Sequence, residues 1–173
     1  MKKLLILFLL LGFTCTSYSD KVSVRVIINA IDVISPDGEL KTYYDPQNVP
    51  NLEYASKIIA KGMTILNYYS AGIILKNQQG LFISKDPING NLIFSKIENS
   101  KSGPIVVTFD ATTIAQMDAD TIFSLRYDEK ENSVTMEIID GHATMKIGEE
   151  KEIELASRET FKHTFRGGTN DAV

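Results

Sequence analysis

Three aspartates are the residues of this sequence whose type and spacing come closest to a chemical site: Asp110, Asp118 and Asp120. Residues two apart on a strand face the same side, so Asp118 and Asp120 could hold a divalent cation together. Such a site would suit a carboxylate- or metal-dependent hydrolase. A turn or a helix cap explains the same aspartates equally well. The three carboxylates are therefore an alternative metal site, and the sequence indicates no cofactor.

Tyrosines form the second group of candidates. Tyr43, Tyr44, Tyr54, Tyr68 and Tyr69 lie close together in the sequence. Tyrosine is common in binding surfaces because its ring buries area while its hydroxyl stays polar. Half-buried packing where the predicted helix meets the sheet is the other interpretation. These five residues are the candidate binding site.

The remaining reactive side chains indicate no catalytic residue. His142 and His163 belong to no metal motif, and His163, between Lys162 and Arg166 in a basic stretch, is expected to be solvated. One cysteine, Cys15, excludes a disulfide framework within the chain and a zinc site built on two or more thiolates. Neither a nucleophile elbow nor a glycine-rich phosphate loop occurs.

The first 19 residues have the pattern of a secretory signal peptide. Lys2 and Lys3 give a positive start, and residues 4–11 are all apolar. This run is too short for a membrane span, which needs about 20 apolar residues. Ser17 and Ser19 supply small side chains for cleavage before Asp20. The pattern predicts export to the periplasm or beyond.

Cys15 allows a different localisation of the protein. A cysteine directly behind an apolar run can be the lipidated first residue of a bacterial lipoprotein, which would anchor the protein to a membrane. The preceding Gly12-Phe13-Thr14 is a poor match to the usual Leu-x-Gly/Ala/Ser. Removal of Cys15 with the signal peptide is the simpler interpretation.

The predicted secondary structure that would position the candidate residues begins with two strands and a helix. Alternation from Val22 to Ala30 predicts a strand, Ser35-Pro36-Asp37-Gly38 predicts a turn, and residues 40–44 would be the returning strand. A helix is predicted over about residues 51–69, with Gly62 inside it. Its apolar stripe is Leu52, Ala55, Ile59, Met63 and Leu66.

Strands dominate the rest of the chain. Short apolar runs with turn-length connections follow residue 72, and such connections favour antiparallel pairing. Residues 112–120 are expected to be a short helical crossover, and Asp140-Gly141 a tight hairpin turn. The predicted fold class is α+β, a mostly antiparallel sheet with the 51–69 helix packed on one face. We expect one domain over residues 20–166 and a tail at 167–173.

The net charge of the chain bears on the class of partner that it can bind. The chain has 173 residues with 18 Lys and Arg against 22 Asp and Glu, a net charge of −4, which argues against nucleic acid. Export with no catalytic constellation predicts a small interaction protein of a bacterial envelope, such as an accessory subunit, inhibitor or immunity-type protein. Its expected partner is an envelope protein, and a membrane would be involved only if Cys15 is lipidated. The hydrolase and a self-assembling structural subunit are the alternatives.

Overall fold

The computed structural model describes residues 21–52 and 54–165. The predicted signal peptide 1–19, the possible lipidation site Cys15 and the tail 167–173 lie outside the described residues. Within these residues the chain forms strands and one 3₁₀ turn, Pro46–Asn48. In chain order the strands are β1 (Val22–Ile28), β2 (Ile31–Ile34), β3 (Leu40–Tyr43), β4 (Lys57–Ala60), β5 (Met63–Tyr68), β6 (Ala71–Leu75), β7 (Gly80–Lys85), β8 (Leu92–Lys96), β9 (Ile105–Thr108), β10 (Thr113–Met117), β11 (Ile122–Asp128), β12 (Ser133–Asp140), β13 (His142–Ile147), β14 (Lys151–Ala156) and β15 (Thr160–Thr164).

Two antiparallel sheets make up the fold. The seven-stranded sheet has the order β1-β5-β6-β9-β10-β13-β14, and the eight-stranded sheet has the order β15-β12-β11-β8-β7-β4-β2-β3. Buried apolar residues of both sheets belong to one hydrophobic cluster. The sheets therefore pack face to face as a sandwich, in which each covers the apolar face of the other.

The chain alternates between the sheets hairpin by hairpin. β5–β6, β9–β10 and β13–β14 belong to the seven-stranded sheet, whereas β7–β8 and β11–β12 belong to the eight-stranded sheet. Because neighbouring strands are antiparallel, the short links between the sheets share one end of the sandwich. We call it the crossover end (residues 29–30, 61–62, 76–79, 97–104, 118–121, 141 and 157–159). The hairpin end carries the turns within each sheet (residues 35–39, 69–70, 86–91, 109–112, 129–132 and 148–150).

Aromatic rings join the two sheets in the core. Phe94 of β8 stacks on Phe123 of β11, with ring centroids 5.2 Å apart. Tyr68 of β5, in the other sheet, meets Phe94 edge to face at 6.4 Å. All three side chains are fully buried. Each therefore contributes both apolar burial and a favourable ring geometry to the contact between the sheets.

The prediction of an α+β fold with a helix over residues 51–69 is wrong, although its antiparallel sheet is confirmed. β4 and β5 occupy this segment, and burial in β5 alternates, with Thr64, Leu66 and Tyr68 inside. Gly62 lies between the two strands, and a Cβ there would be 2.1 Å from the carbonyl oxygen of Ile28. The glycine therefore marks a close approach of two chain segments at a link between the sheets, not a weak point in a helix.

Two further expectations are corrected nearby in the fold. β10 replaces the short helical crossover expected over residues 112–120. Asp140-Gly141 is a link between the sheets, because β12 and β13 belong to different sheets. Gly141 has a φ of 96°, and a Cβ there would meet the backbone of Thr121 at 2.9 Å. A second sheet thus covers the apolar face that the helix was expected to cover.

Candidate functional site

The five candidate tyrosines separate into buried and exposed members. Tyr68 is fully buried, and its hydroxyl oxygen accepts a hydrogen bond from the backbone N–H of Tyr127 at 3.2 Å. Tyr69 stacks on the Tyr127 ring, with centroids 3.9 Å apart, and Tyr43 is half-buried. Tyr44 and Tyr54, between β3 and β4, are 72% and 63% exposed. Tyr44 and Tyr54 are therefore the two that present most of their surface to a partner.

The three candidate aspartates lie at opposite ends of the sandwich. Asp110 belongs to the hairpin end, and Asp118 and Asp120 belong to the crossover end. β10 separates them, and at about 3.3 Å per residue this places Asp110 about 20 Å from Asp118. Asp120 forms an ion pair with Lys96, with Oδ1 3.1 Å from Nζ. The structure therefore does not bring the three carboxylates together.

Asp110 instead pairs with a histidine. Its Oδ2 lies 3.3 Å from Nε2 of His163, on β15. The His163 side chain is only 15% exposed and packs between the rings of Phe109 and Phe165. A cavity of about 640 Å³, which Thr112 also lines, adjoins the pair. This imidazole is not in a solvated basic patch, as the sequence suggested, but ties β15 to the β9–β10 hairpin.

Hydrogen bonds keep the Asp110 carboxylate ionised. Partial burial acts to raise its pKa, but the backbone N–H groups of Thr112 and Thr113 donate to Oδ1 at 2.8 and 2.6 Å, and the Thr112 hydroxyl donates at 3.1 Å. Together these bonds hold the pKa of Asp110 below its ordinary value, since they favour the charged form. Asp110 thus organises its own turn while it faces His163.

β3 is an open edge of the eight-stranded sheet. The backbone N–H of Ser35 donates to the carbonyl of Glu39 at 3.0 Å, so these two residues form a hydrogen-bonded pair. Hydrogen-bonded and non-hydrogen-bonded pairs alternate along an antiparallel ladder. The backbone N–H and C=O groups of Leu40 and Thr42 therefore point away from β2. We call residues 40–44 the β3 edge.

Apolar side chains accumulate around the β3 edge. Leu40 is 59% exposed and shares a strand face with Thr42, and Tyr44, which directly follows β3, is 72% exposed. Four of the six large apolar side chains that are exposed in residues 21–52 and 54–165 belong to β1, β3 or the link after β3. The six are Ile28, Leu40, Tyr44, Tyr54, Ile88 and Ile139. This side of the sandwich thus combines free backbone groups with apolar surface.

The other sheet edges are covered or charged. The backbone N–H of Leu52 donates to the carbonyl of Val22 at 2.7 Å, which covers part of β1. β15 carries Lys162 at its centre, and β14 carries Glu152 and Glu154. Charge and coverage are the usual means by which proteins prevent pairing at an edge. The β3 edge carries a charge as well, Lys41, which is paired with Glu39 at 2.9 Å, but it differs from the other edges in having the exposed apolar side chains of Leu40 and Tyr44 beside its outward backbone groups.

Sequence reasoning missed three features of these sites. Leu40–Tyr43 was predicted as a strand, but nothing local showed that it is an edge. The burial of His163 had a signal, since Phe161, His163 and Phe165 alternate and alternation indicates a common face. The meeting of residues 29, 61, 77–78 and 97–101 around one cleft at the crossover end had no signal, because these residues are far apart in sequence.

Comparison of the chain with protein-family models, curated proteins and solved structures gave no significant match. Among residues 21–52 and 54–165, no group of three or more His, Cys, Asp or Glu side chains is arranged to hold a metal ion. In the same part of the chain, no helix has the length and apolar character that crossing a bilayer requires. Function therefore has to be inferred from geometry.

Proposed function

We propose that this is an exported interaction protein of a bacterial envelope that binds an extended segment of an envelope protein along the β3 edge. The observation that carries the proposal is the open edge itself, where Leu40 and Thr42 direct backbone groups outward. An added strand would satisfy those groups, as in other cases of binding by strand addition. Each such hydrogen bond contributes about 1 kcal/mol net.

Side chains around the edge define the chemistry of the segment. Leu40 begins β3 and Tyr44 directly follows its end, so a segment paired with β3 would have an exposed apolar side chain at each end of the edge. Asp37 and Asp45 flank the edge, while Lys41 is already paired with Glu39 at 2.9 Å. The flanking carboxylates favour a segment with basic residues, since complementary charge selects partners and speeds association.

Site-specific cross-linking in the native cell tests this proposal. A photo-reactive amino acid at position 40 is expected to give a discrete adduct with one envelope protein, identified by mass spectrometry. The same amino acid at position 162, at the centre of the opposite edge, is the matched control and is expected to give none.

A proline substitution separates strand addition from other contacts. Thr42→Pro removes an outward N–H and is expected to abolish the adduct. Thr42→Ala removes the hydroxyl, which donates to Asp32 at 2.8 Å, and the methyl group, but it keeps the N–H and should retain the adduct. An adduct that survives Thr42→Pro, or that forms equally from position 162, would overturn the proposal.

The alternatives give different results in the same experiment. An adduct of two copies of this chain would indicate the self-assembling subunit instead. The hydrolase using Asp110, Asp118 or Asp120 stays a prediction. It requires that Asp118→Asn with Asp120→Asn change metal-dependent melting or a phenotype of the cell.

A further inference from the structure

The crossover end contains a polar cleft that is separate from the β3 edge. Four links between the sheets line a volume of about 610 Å³. This volume is within the range of clefts that bind small organic molecules. The links contribute residues 29, 61, 77–78 and 97–101, together with Ile59 from β4.

Hydrogen bonds between the links fix the shape of this cleft. The backbone N–H of Lys61 donates to Ala30 at 2.8 Å, that of Gln78 donates to Ala60 at 2.6 Å, and that of Lys101 donates to Gln78 at 2.9 Å. The links 29–30 and 61–62 are thus bonded to each other, as are the links 76–79 and 97–104, and Gln78 joins the two pairs through Ala60 at the end of β4. A cleft held in this way loses little conformational entropy when a ligand binds.

A buried glutamine side chain forms hydrogen bonds to two of the links. Gln79 is buried, and its Oε1 accepts from the backbone N–H of Lys76 at 2.7 Å. Its Nε2 donates to the carbonyl of Pro104 at 3.2 Å. One side chain therefore joins the link after β6 to the link after β8, which are the two links that carry most of the cleft's polar groups.

Three of the seven non-glycine residues with a positive φ in residues 21–52 and 54–165 lie in the cleft. Asn29, Gln78 and Asn99 have φ values of 76°, 64° and 64°. The left-handed region costs about 1 kcal/mol for a residue with a side chain, and asparagine tolerates it better than glutamine. Such strain persists where the surrounding structure fixes it, often at binding sites. Gln78 keeps a side chain at a position where glycine would be less strained.

The cleft offers side-chain groups that have no partner among the described residues. The amides of Asn77, Gln78 and Asn99 are exposed and make no side-chain hydrogen bond there. Lys61 is paired with Asp32, with Nζ 2.7 Å from Oδ2, so Lys101 is the ammonium left for a ligand. Glu98 adds a carboxylate, which can accept from ligand hydroxyls and disfavours a negative charge on its own side of the cleft.

We propose that this cleft binds an acidic saccharide. A sugar hydroxyl both donates and accepts, and so does a side-chain amide, so the three amides can pair with hydroxyls of one ring. Lys101 would pair with the carboxylate through a charge-assisted hydrogen bond. Ile59 and Ile97 would contact the apolar C–H groups of the ring. The inference does not depend on the proposed binding of a protein at the β3 edge.

Titrations followed by NMR of the backbone amides test the proposal on the full chain. Glucuronate is expected to shift the amides of Gln78, Asn99 and Lys101 with an affinity of about millimolar. Two compounds serve as controls: glucose has the hydroxyl groups but no charge, and inorganic phosphate has a charge but no sugar ring. Both are expected to produce clearly smaller shifts at the same residues.

Three variants separate binding from folding. Lys101→Ala is expected to weaken glucuronate binding about ten-fold, because a hydrogen bond to a charged group is lost. Lys130→Ala, an exposed lysine at the hairpin end, should leave it unchanged. Gln78→Gly removes the amide but suits the positive φ, so it should fold normally and bind more weakly. Unchanged affinity in Lys101→Ala and Gln78→Gly, no shifts at the cleft, or equal shifts with phosphate would overturn the proposal.

Discussion

The two edges of the eight-stranded sheet are held in place by different means. β15 directs Phe161 and His163 onto Phe109, with ring centroids 5.4 and 5.6 Å apart. β3 packs against the core only through the half-buried Tyr43, while its other residues are exposed. β15 is thus fixed by side chains and β3 mainly by its backbone pairing with β2. An edge that contributes little to the core can accept a new neighbour without disturbing the rest of the sandwich.

The largest effect is expected from Phe109→Ala. Phe109 is buried and meets both inward rings of β15, so its loss leaves a cavity beneath that edge. The free energy of unfolding should fall by about 3–4 kcal/mol, measured by urea denaturation. A loss below about 1 kcal/mol would mean that β15 is no better anchored than β3.

A matched pair of prolines sharpens the comparison. The backbone N–H of Phe165 donates to Asn132 at 2.9 Å, so by alternation the N–H of Lys162 points outward, as that of Thr42 does. Neither proline removes a ladder hydrogen bond. Lys162→Pro should still lower stability by about 1–2 kcal/mol more than Thr42→Pro, because any shift of β15 disturbs its buried rings. Equal urea midpoints would contradict the difference between the edges.

Asp110→Asn tests the carboxylate beside β15. The folded-state pKa of Asp110 is below its ordinary value of 3.8, so ionised Asp110 stabilises the fold above that pH. This contribution is lost as the pH falls through the lower folded value. The variant should therefore be slightly less stable at pH 7, and its stability should fall less steeply on acidification below pH 4. Thermal melts from pH 7 to pH 2 measure this difference. An equal fall in melting temperature below pH 4 in the variant and the wild type would exclude a stabilising role of ionised Asp110.

The smallest effect on stability is expected at the apolar end of β3. Leu40→Ser replaces a side chain that is mostly in solvent, so the free energy of unfolding should change by less than about 0.5 kcal/mol. The cross-linked adduct from a photo-reactive group at position 44 should nevertheless decrease. A large loss of stability would show that Leu40 belongs to the core.

Local signals predicted some elements well. Ser35-Pro36-Asp37-Gly38 predicted a turn, and the backbone N–H of Gly38 donates to the carbonyl of Ser35 at 2.9 Å there, because turn residues act within a few positions. The turn joins β3 to β2, which was not predicted as a separate strand, whereas the predicted strand 22–30 corresponds to β1 and pairs with β5 in the other sheet. The segment 51–69 failed because its apolar residues fit both a helical stripe and strand alternation. What decided between them was Gly62 against the carbonyl of Ile28, a contact between residues 34 positions apart.

Sheet membership could not be predicted from neighbouring residues. Asp140-Gly141 has the composition of a hairpin turn, yet the chain changes sheet there: Asp140 pairs with Ile122 of β11, and His142 pairs with Ala156 of β14. The same limit applies to the candidate site. Five tyrosines were selected by type, but type alone does not distinguish buried Tyr68 from exposed Tyr44.

The alternation of hairpins between sheets has a consequence for how the chain acquires its structure. Within residues 21–52 and 54–165, no strand pairs with one more than four positions away in chain order, so β1 and β15 do not pair. In every pairing the nearest residues are at most 35 positions apart, as Ile28 and Met63 are, and the hairpin between them shortens that loop further, which limits its entropic cost. The sandwich can therefore form progressively from the β1 and β3 side to the β14 and β15 side, because each hairpin that is added provides the edge strand with which a later hairpin pairs.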